Sequence, residues 1–385
     1  MLIVLMQALE NRLTVSRNLK RRLKITFALC ALVPIGACDG GTETPSISSM
    51  SDGAWLACTG ENTIEDLHPN LNEMLVSVEI PANSAWVDRG VVLSAEPGRW
   101  DTRIEGMFTL VGVIKRKGTF FLYYIGADGD RNDGGPANRA IGVATSKDGI
   151  HFRKYPGNPV LTHQPSGAPT GEGGIFSGGV WLDDDETVVM YFGGMEEYRA
   201  ESVDGDIALA VSSDGLSFTY CGDVWTYEQS GIQVGDEIFP VAVYKGDDGT
   251  WSIYFIEMTR QFDIWRAWGN TRTSITHDQE LDVHRDHHGS ASVIRKSDEE
   301  IIFVGTELFK PNGKEQRAIQ AWYVADEYDP SGVGVTPDST HDVTLVGQSQ
   351  GVVFLDRVTM TWHWYFLDRA TQSTIRVRTA SAETS

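Results

Sequence analysis

Short apolar strands alternate with polar turns along most of this chain, and the pattern repeats. The clearest copies are two strand pairs, each ending in a Ser-x-Asp-Gly sequence: 118–124 with 141–149, and 187–192 with 207–215. Strands that recur in units of roughly 45–65 residues, without a long helical pattern between them, are typical of a β-propeller. We therefore predict an all-β fold in which residues from every unit meet at one axial funnel.

The repeat predicts five blades, near 101–163, 171–226, 235–283, 287–338 and 347–383. The sequence at 90–93 resembles the one at 158–161, which precedes the second blade. We expect residues 90–93 to add an outer strand to the last blade, because closing the ring removes exposed sheet edges. The prediction is a five-bladed β-propeller closed by an N-terminal strand, in one domain at 54–385.

Two polar features are interpreted as turns. The Ser-x-Asp-Gly sequences supply the side-chain acceptor and the positive φ that a tight hairpin requires. The acidic run at 183–186 is predicted to be a solvent-exposed hairpin tip.

The first 37 residues combine a basic stretch with an apolar run at 25–35 that is too short to span a bilayer. We interpret residues 1–37 as a lipoprotein-type export signal, with Cys38 as the lipidated residue and 38–53 as a linker; ordinary signal cleavage is the alternative. The chain would then be periplasmic or in the cell envelope. Of the four cysteines, Cys58 and Cys221 would remain, either as a disulfide or as two buried thiols.

The chain is acidic, with 32 Lys and Arg against 53 Asp and Glu and a net charge of −21. Residues 1–37 contain six basic residues and one acid, so the remaining chain has a net charge of about −26. Such a surface repels nucleic acid and anionic lipid, and it disfavours polyanionic substrates unless a local basic patch exists. We expect a monomer that binds a neutral carbohydrate or other small neutral substrate, with membrane contact only through the lipid anchor.

Five polar residues occupy equivalent positions, each 13 or 14 residues before a hairpin tip: Glu105, Glu172, Asp236, His287 and Gln348. In a propeller these positions lie at the rim of one funnel. Burying polar groups beside apolar strands costs free energy unless the groups are hydrogen-bonded or take part in function. They either cap strands and bond to one another around the axis, or they form an acid-base site in which neighbouring carboxylates separate their pKa values.

At this point the chain resembles the five-bladed propeller glycosidases that include arabinanase-like, β-xylosidase-like and invertase-like enzymes. The resemblance rests on Trp100-Asp101 and on the segments 121–126, 141–149, 158–161 and 235–240. It implies a carboxylate base from the first blade, a second carboxylate that tunes the pKa of the acid, and a Glu acid from the third blade.

By position, the resemblance makes Glu105 or Asp101 the base, Glu172 the modulator and Glu237 the acid, with Asp236 nearby. Such a pair would hydrolyse a glycosidic bond, and we expect inversion. Asp101, Arg103, His287, His288 and Gln348 are the candidate substrate-binding residues.

We expect no cofactor and no metal ligands, although a structural calcium or other ion in the central funnel stays open. The leading hypothesis is a glycoside hydrolase-like enzyme that cleaves a neutral oligosaccharide or glycoside with funnel carboxylates. The alternatives are a non-catalytic carbohydrate-binding propeller, or a propeller enzyme of another class, such as a lyase or cyclase, that uses the histidines with the carboxylates.

Overall fold

The structure is a computed structural model, and all described residues belong to the compact unit Met50–Ser385. It describes residues 58–59, 77–81, 83–104, 108–128, 138–162, 174–194, 206–226, 238–257, 263–281, 289–297, 300–309, 317–326, 343–344, 348–368, 371 and 373–382. Within these ranges no helix is long and apolar enough to cross a membrane.

In the described part of the chain, twenty strands form five four-stranded antiparallel sheets. Sheet I contains β2 (Leu110–Arg116), β3 (Thr119–Asp128), β4 (Asn138–Ser146) and β5 (Arg153–Lys154). Sheet II contains β6 (Ile175–Leu182), β7 (Val188–Gly194), β8 (Ile207–Ser212) and β9 (Thr219–Trp225). Sheet III contains β10 (Ile238–Lys245), β11 (Trp251–Glu257), β12 (Asp263–Gly269) and β13 (Ile275–Glu280). Sheet IV contains β14 (Ser292–Arg295), β15 (Glu300–Phe309), β16 (Arg317–Asp326) and β17 (Val343–Thr344). Sheet V contains β18 (Gln348–Asp356), β19 (Thr361–Asp368), β20 (Thr374–Ser381) and β1 (Val87–Ser94).

The first strands of the five sheets surround one axis. Strands β2, β6, β10, β14 and β18 are edge strands of their sheets, contact one another in this order, and β18 contacts β2. This arrangement is an all-β propeller, as the sequence predicts. In sheet V the order is β18-β19-β20-β1, with Val91 of β1 opposite Arg376 of β20.

The core lies between neighbouring sheets, because the middle strands bury both faces. Every residue of β11 is buried, and so is every residue of β8. These strands are mainly apolar, as burial on both faces requires, and Ser252, Glu257 and Ser212 are their buried polar residues. The outer strand β13 instead has a mostly exposed or half-buried sequence, since one of its faces meets solvent.

The Ser-x-Asp-Gly sequences form the predicted turns. Gly149 N donates to Ser146 Oγ at 3.0 Å, and Gly215 N donates to Ser212 Oγ at 2.8 Å. Both glycines have a positive φ, 73° and 77°, which residues with a side chain rarely adopt.

Tyrosines of the middle strands bond three of the sheets to a turn of the next one. Tyr365 OH donates to Gly149 O at 2.8 Å, Tyr123 OH to Gly215 O at 2.9 Å, and Tyr191 OH to Arg272 O at 2.8 Å. The three bonds join sheet V to I, I to II, and II to III. The turns therefore also serve as acceptors between sheets, which the sequence pattern did not reveal.

Charged residues join neighbouring sheets at the ends of the inner strands. Lys115 Nζ lies 2.7 Å from Asp356 Oδ2, which links sheets I and V. Arg295 of sheet IV pairs with Asp247 of sheet III. Arg357, after β18, donates to the carbonyl oxygen of Arg295. Ion pairs and a hydrogen bond thus connect neighbouring sheets at the ends of the inner strands.

The interpretation of residues 183–186 as a wholly solvent-exposed tip is wrong for Asp183. This side chain is only 8% exposed and pairs with Lys245 at 2.5 Å and with the buried Arg272. Both cations also lie over the ring of Trp251. The first acid of the run is buried because the adjoining sheet III supplies two cations, whereas Asp184 stays 84% exposed.

The segment before β1 contacts sheets II and IV. Cys58 forms a disulfide with Cys221 of β9, with 5.7 Å between their Cα atoms, and this decides between the two alternatives that the sequence left open. Cys58 is buried against Trp225 and neighbouring apolar residues. Farther along, Val78 N donates to Lys296 O at 3.2 Å.

Candidate functional site

The rim of the predicted funnel corresponds to the beginnings of the inner strands. The candidates Glu105, Glu172, Asp236, Glu237, His287 and His288 lie outside the described residues, as does the candidate lipidation site Cys38. Gln348 is the first residue of β18, opposite Asp368 of β19. The roles assigned to these residues stay predictions.

Asp101 is buried in an ion pair. Its side chain is 1% exposed, and its Oδ2 accepts hydrogen bonds from Lys154 Nζ at 2.5 Å and Tyr124 OH at 2.9 Å. Burial and the charge of Asp101 raise the pKa of Tyr124 well above its usual value, so the phenol remains a donor. These contacts fit a structural carboxylate within sheet I, and they disfavour Asp101 as the base or as a direct substrate ligand.

Two glycines explain why Trp100 and Asp101 fit against sheet I. A Cβ at Gly126 would lie 2.6 Å from Asp101 Cβ and 2.7 Å from the Trp100 ring, and a Cβ at Gly142 would lie 2.5 Å from that ring. Both contacts are too short for real atoms, so the indole can cover β3 and β4 only because these positions lack side chains. The Trp-Asp motif therefore packs on this sheet.

Arg103 is anchored through its backbone at the end of β3. Its N donates to Ala127 O, and Ala127 N donates to Arg103 O, both at 3.1 Å. Thr102 Oγ1 also donates to Ala127 O at 3.0 Å. Because β2 and β3 are antiparallel, the end of β3 lies beside the beginning of β2. Arg103 is thus fixed at the end of sheet I where the funnel candidates precede β2.

Three phenylalanines from sheets I, II and III meet just inside this end. The Phe108 ring stacks on the Phe239 ring with centroids 5.1 Å apart, and Phe176 lies 5.6 Å from Phe108 and 5.1 Å from Phe239. Phe108 and Phe239 are almost fully buried. This aromatic cluster lies beside the beginnings of β2, β6 and β10.

The Arg139 guanidinium lies 4.9 Å from the centroid of the Phe176 ring. Its backbone bridges to Gly174, which has a φ of 77° and at which a Cβ would lie 2.5 Å from the Arg139 carbonyl oxygen. Only glycine fits this approach between sheets I and II. The contact holds a cation and an aromatic ring next to the segment that contains Glu172.

Glu257 is a buried carboxylate near the funnel candidates that the sequence analysis did not identify. This carboxylate ends β11, is 3% exposed, and stands opposite Ile238, the residue that follows Glu237. An acid at the end of the apolar run 251–256 was the available signal, because a buried charge needs a partner or a function.

An axial cavity of about 290 Å³ lies farther along the inner strands. Its walls come from all five inner strands, with mostly apolar residues such as Val111, Val180, Val293 and Val353. Lys115, Arg295 and Arg357 line it at the ends of β2 and β14 and just after β18. The cavity is thus apolar along its walls and cationic at one end.

Among the described residues, no group of three or more His, Cys, Asp or Glu side chains could hold a metal ion. The histidines at 284–288 lie outside these residues. An ion in the funnel stays an open prediction.

No protein-family model matches the chain, and no curated protein matches its sequence. Solved structures do match. A glycosyl hydrolase from Bacteroides ovatus is 14% identical, with a TM-score of 0.52 over 82% of this chain and 92% of that one. An α-L-arabinanase from Penicillium chrysogenum, solved with arabinobiose, is 8% identical, with a TM-score of 0.53 over 80% and 98%.

A third match belongs to the family of mannoside phosphorylases that contains glycoside hydrolases acting on β-1,2 mannosidic linkages. It is 15% identical, with a TM-score of 0.52 over 82% of this chain and 96% of that one. The chain shares the β-propeller fold of these structures. At these identities the likeness concerns the backbone of the propeller, and the chemistry must be argued from the residues of this chain.

Proposed function

We propose that this glycoside hydrolase propeller cleaves a neutral oligosaccharide or glycoside with carboxylates at the mouth of its axial funnel. The observation that supports this most is positional. Glu105, Glu172, Glu237 and His287 precede the first residues of β2, β6, β10 and β14 by no more than five positions, and these four strands line one cavity. We expect side chains at such positions of a propeller to converge on the axis.

In the proposed mechanism Glu237 is the general acid and protonates the leaving glycosidic oxygen. Glu105 is the base that activates a water molecule on the opposite face of the sugar, and Glu172 tunes the pKa of the acid. Inversion requires the two carboxyl groups to be about 6.5–9.5 Å apart, whereas about 5 Å would give retention. Asp101 is the weaker candidate for the base because its carboxylate is already bonded to Lys154 and Tyr124.

Arg103 and Arg139, the cations near the mouth, would position the sugar, and the buried aromatic cluster would support the beginnings of the inner strands. The proposed substrate is neutral because the chain is strongly acidic, so a polyanion would be repelled. Asp236, Arg103, His287, His288 and Gln348 are the proposed binding partners for hydroxyl groups.

We further propose that the five sheets are the blades of a ring closed by β1. The pairing of β1 with β20 and the contact of β18 with β2 support this. Export through the segment 1–37, with a lipid on Cys38, is supported by the Cys58–Cys221 disulfide, since such bonds persist in oxidising compartments. We expect a monomer held at the cell envelope by its anchor.

The test is a panel of aryl glycosides and neutral oligosaccharides incubated with the chain from Ser51 onward. Glu237→Gln should lower turnover by roughly 10²–10⁴-fold, the usual contribution of a general acid, without changing the far-UV circular dichroism. Asp184→Asn is the matched control, because Asp184 is an exposed carboxylate at the opposite end of an inner strand. Full activity in Glu237→Gln would reject the assignment of Glu237 as the general acid. Binding of a glycan without cleavage by the native chain would reject the proposal that the chain is an enzyme.

A further inference from the structure

The axial cavity combines two chemistries that the proposed catalysis does not use. Its walls are mostly apolar residues of the five inner strands, which are the edge strands of their sheets. Two of the edge N–H groups are already satisfied by sheet IV, because Leu110 N donates to Ser290 Oγ at 3.1 Å and Val353 N to Ser292 Oγ at 2.8 Å. The remaining wall is shaped for an apolar body.

The far end of the cavity is electropositive. Lys115 and Arg295 have side chains only 18% and 16% exposed, and their partners Asp356 and Asp247 belong to neighbouring sheets. The guanidinium of Arg357 donates to a neutral acceptor, the carbonyl oxygen of Arg295. Burial, and then the nearby charge of Arg295, lower the pKa of Arg357 below the usual arginine value. An anion at this end would offset the repulsion between the two guanidinium groups.

This local basic site is notable in a chain with a net charge of −21. Long-range attraction would not bring anions to such a protein, so any anion bound here must be held by direct contacts. Charge-assisted bonds to a guanidinium are roughly twice as strong as neutral ones, and arginine can bind a carboxylate through two parallel bonds.

The volume limits the size of the occupant. A cavity of about 150 Å³ with apolar walls can hold a benzene ring. The axial cavity, at about 290 Å³, therefore has room for an aromatic or short aliphatic body and its anionic head. It is too small for an oligosaccharide chain that also needs hydrogen bonds to each hydroxyl group.

We propose that the axial cavity binds a small organic carboxylate, with its carboxylate on Arg357 and Arg295 and its apolar body among the valines of the inner strands. The site is independent of the proposed catalysis, because the catalytic candidates precede the inner strands, whereas these arginines follow or end them. Its occupant would bridge sheets IV and V and would stabilise the ring from within.

The experiment uses benzoate as the probe and benzyl alcohol as its neutral counterpart, with binding measured by calorimetry on the chain from Ser51 onward. Benzoate should bind about ten-fold or more tightly than benzyl alcohol, because only the carboxylate can make charge-assisted bonds. Arg357→Gln should remove most of this preference. Arg376→Gln is the matched control, since Arg376 pairs with Asp88 on the outside of sheet V and should leave benzoate binding within about two-fold.

A crystal structure of the native chain with benzoate tests the location without relying on any variant. Density for benzoate between the inner strands, with its carboxylate beside Arg357, would support the proposal even if Arg357→Gln folded poorly. Absence of binding, equal binding of the two probes, unchanged binding in a folded Arg357→Gln variant, or benzoate located elsewhere would each overturn it.

Discussion

Removal of the Cys58–Cys221 disulfide should lower the free energy of unfolding by about 5 kcal/mol. The two cysteines are 163 positions apart, so the bond closes a long loop that includes sheet I and most of sheet II. The loss of loop-closure entropy in the unfolded chain, −2.1 − 1.5R ln n, gives about 5 kcal/mol at 25 °C for a loop of this length. Few single features of a protein contribute as much, because total stabilities are usually about 5–15 kcal/mol.

The assay is urea unfolding of the native chain and of the double variant Cys58→Ala, Cys221→Ala, followed by both tryptophan fluorescence and circular dichroism. Coinciding transitions would justify a two-state treatment. Alanine is the better replacement because Cys58 is buried among apolar residues, where a serine hydroxyl would need a partner.

The native chain under reducing conditions is the control for lost sulfur packing. If the cross-link causes the effect, the reduced chain and the double variant should agree within about 1 kcal/mol, the scale of a small packing change. A total loss below about 1 kcal/mol, in protein whose disulfide is verified by mass spectrometry, would refute the chain-entropy argument.

Three further perturbations test the packing around the proposed site. Lys154→Met should destabilise the fold by about 2 kcal/mol or more in urea unfolding, because it leaves the buried Asp101 carboxylate without its cation; unchanged stability would contradict the structural role of that ion pair. Gly174→Ala should lower the free energy of unfolding by about 1–3 kcal/mol more than Gly222→Ala does, because both glycines have a positive φ but only Gly174 faces a backbone within 3 Å. Equal losses would show that the backbones of Gly174 and Arg139 are farther apart than this. Burial lowers the pKa of His363, so the unfolded chain binds its proton more readily, and stability should be full above about pH 6.5 and fall as the pH drops below it. Melting temperatures measured from about pH 7.5 to 5 should show a smaller decline for His363→Phe, and identical slopes would contradict this.

The all-β propeller could be predicted from the sequence because its signals are local. Apolar runs such as 253–256 are required where a strand buries both faces, and Asp148-Gly149 and Asp214-Gly215 supply the side-chain acceptor and the backbone freedom of a tight turn. Equivalent positions in each repeat then follow from counting, which is how Glu105, Glu172, Asp236, His287 and Gln348 were found, whereas Glu237 came from the resemblance to propeller glycosidases. Counting along a chain needs no knowledge of contacts.

Contacts between residues that are far apart in the sequence could be identified only from the tertiary structure. Asp101 resembled a catalytic carboxylate in the sequence, but Lys154, 53 positions later, binds it within sheet I. Asp183 belonged to an acidic run that suggested solvent, yet Arg272 from sheet III buries it. The sequence does not distinguish a carboxylate surrounded by water from one paired with a guanidinium. The role of such a residue therefore depends on neighbours that the sequence does not specify.

The sequence by itself determined the repeating strands and the turns, because each depends on residues close together in the chain. The tertiary structure decided which cysteines pair, which acids are neutralised, and that Lys115, Arg295 and Arg357 meet at one end of an apolar cavity. These three cations come from different sheets and are separated by up to 242 positions. Only the closing of the strands around one axis brings them together, since nothing local in the chain encodes that proximity.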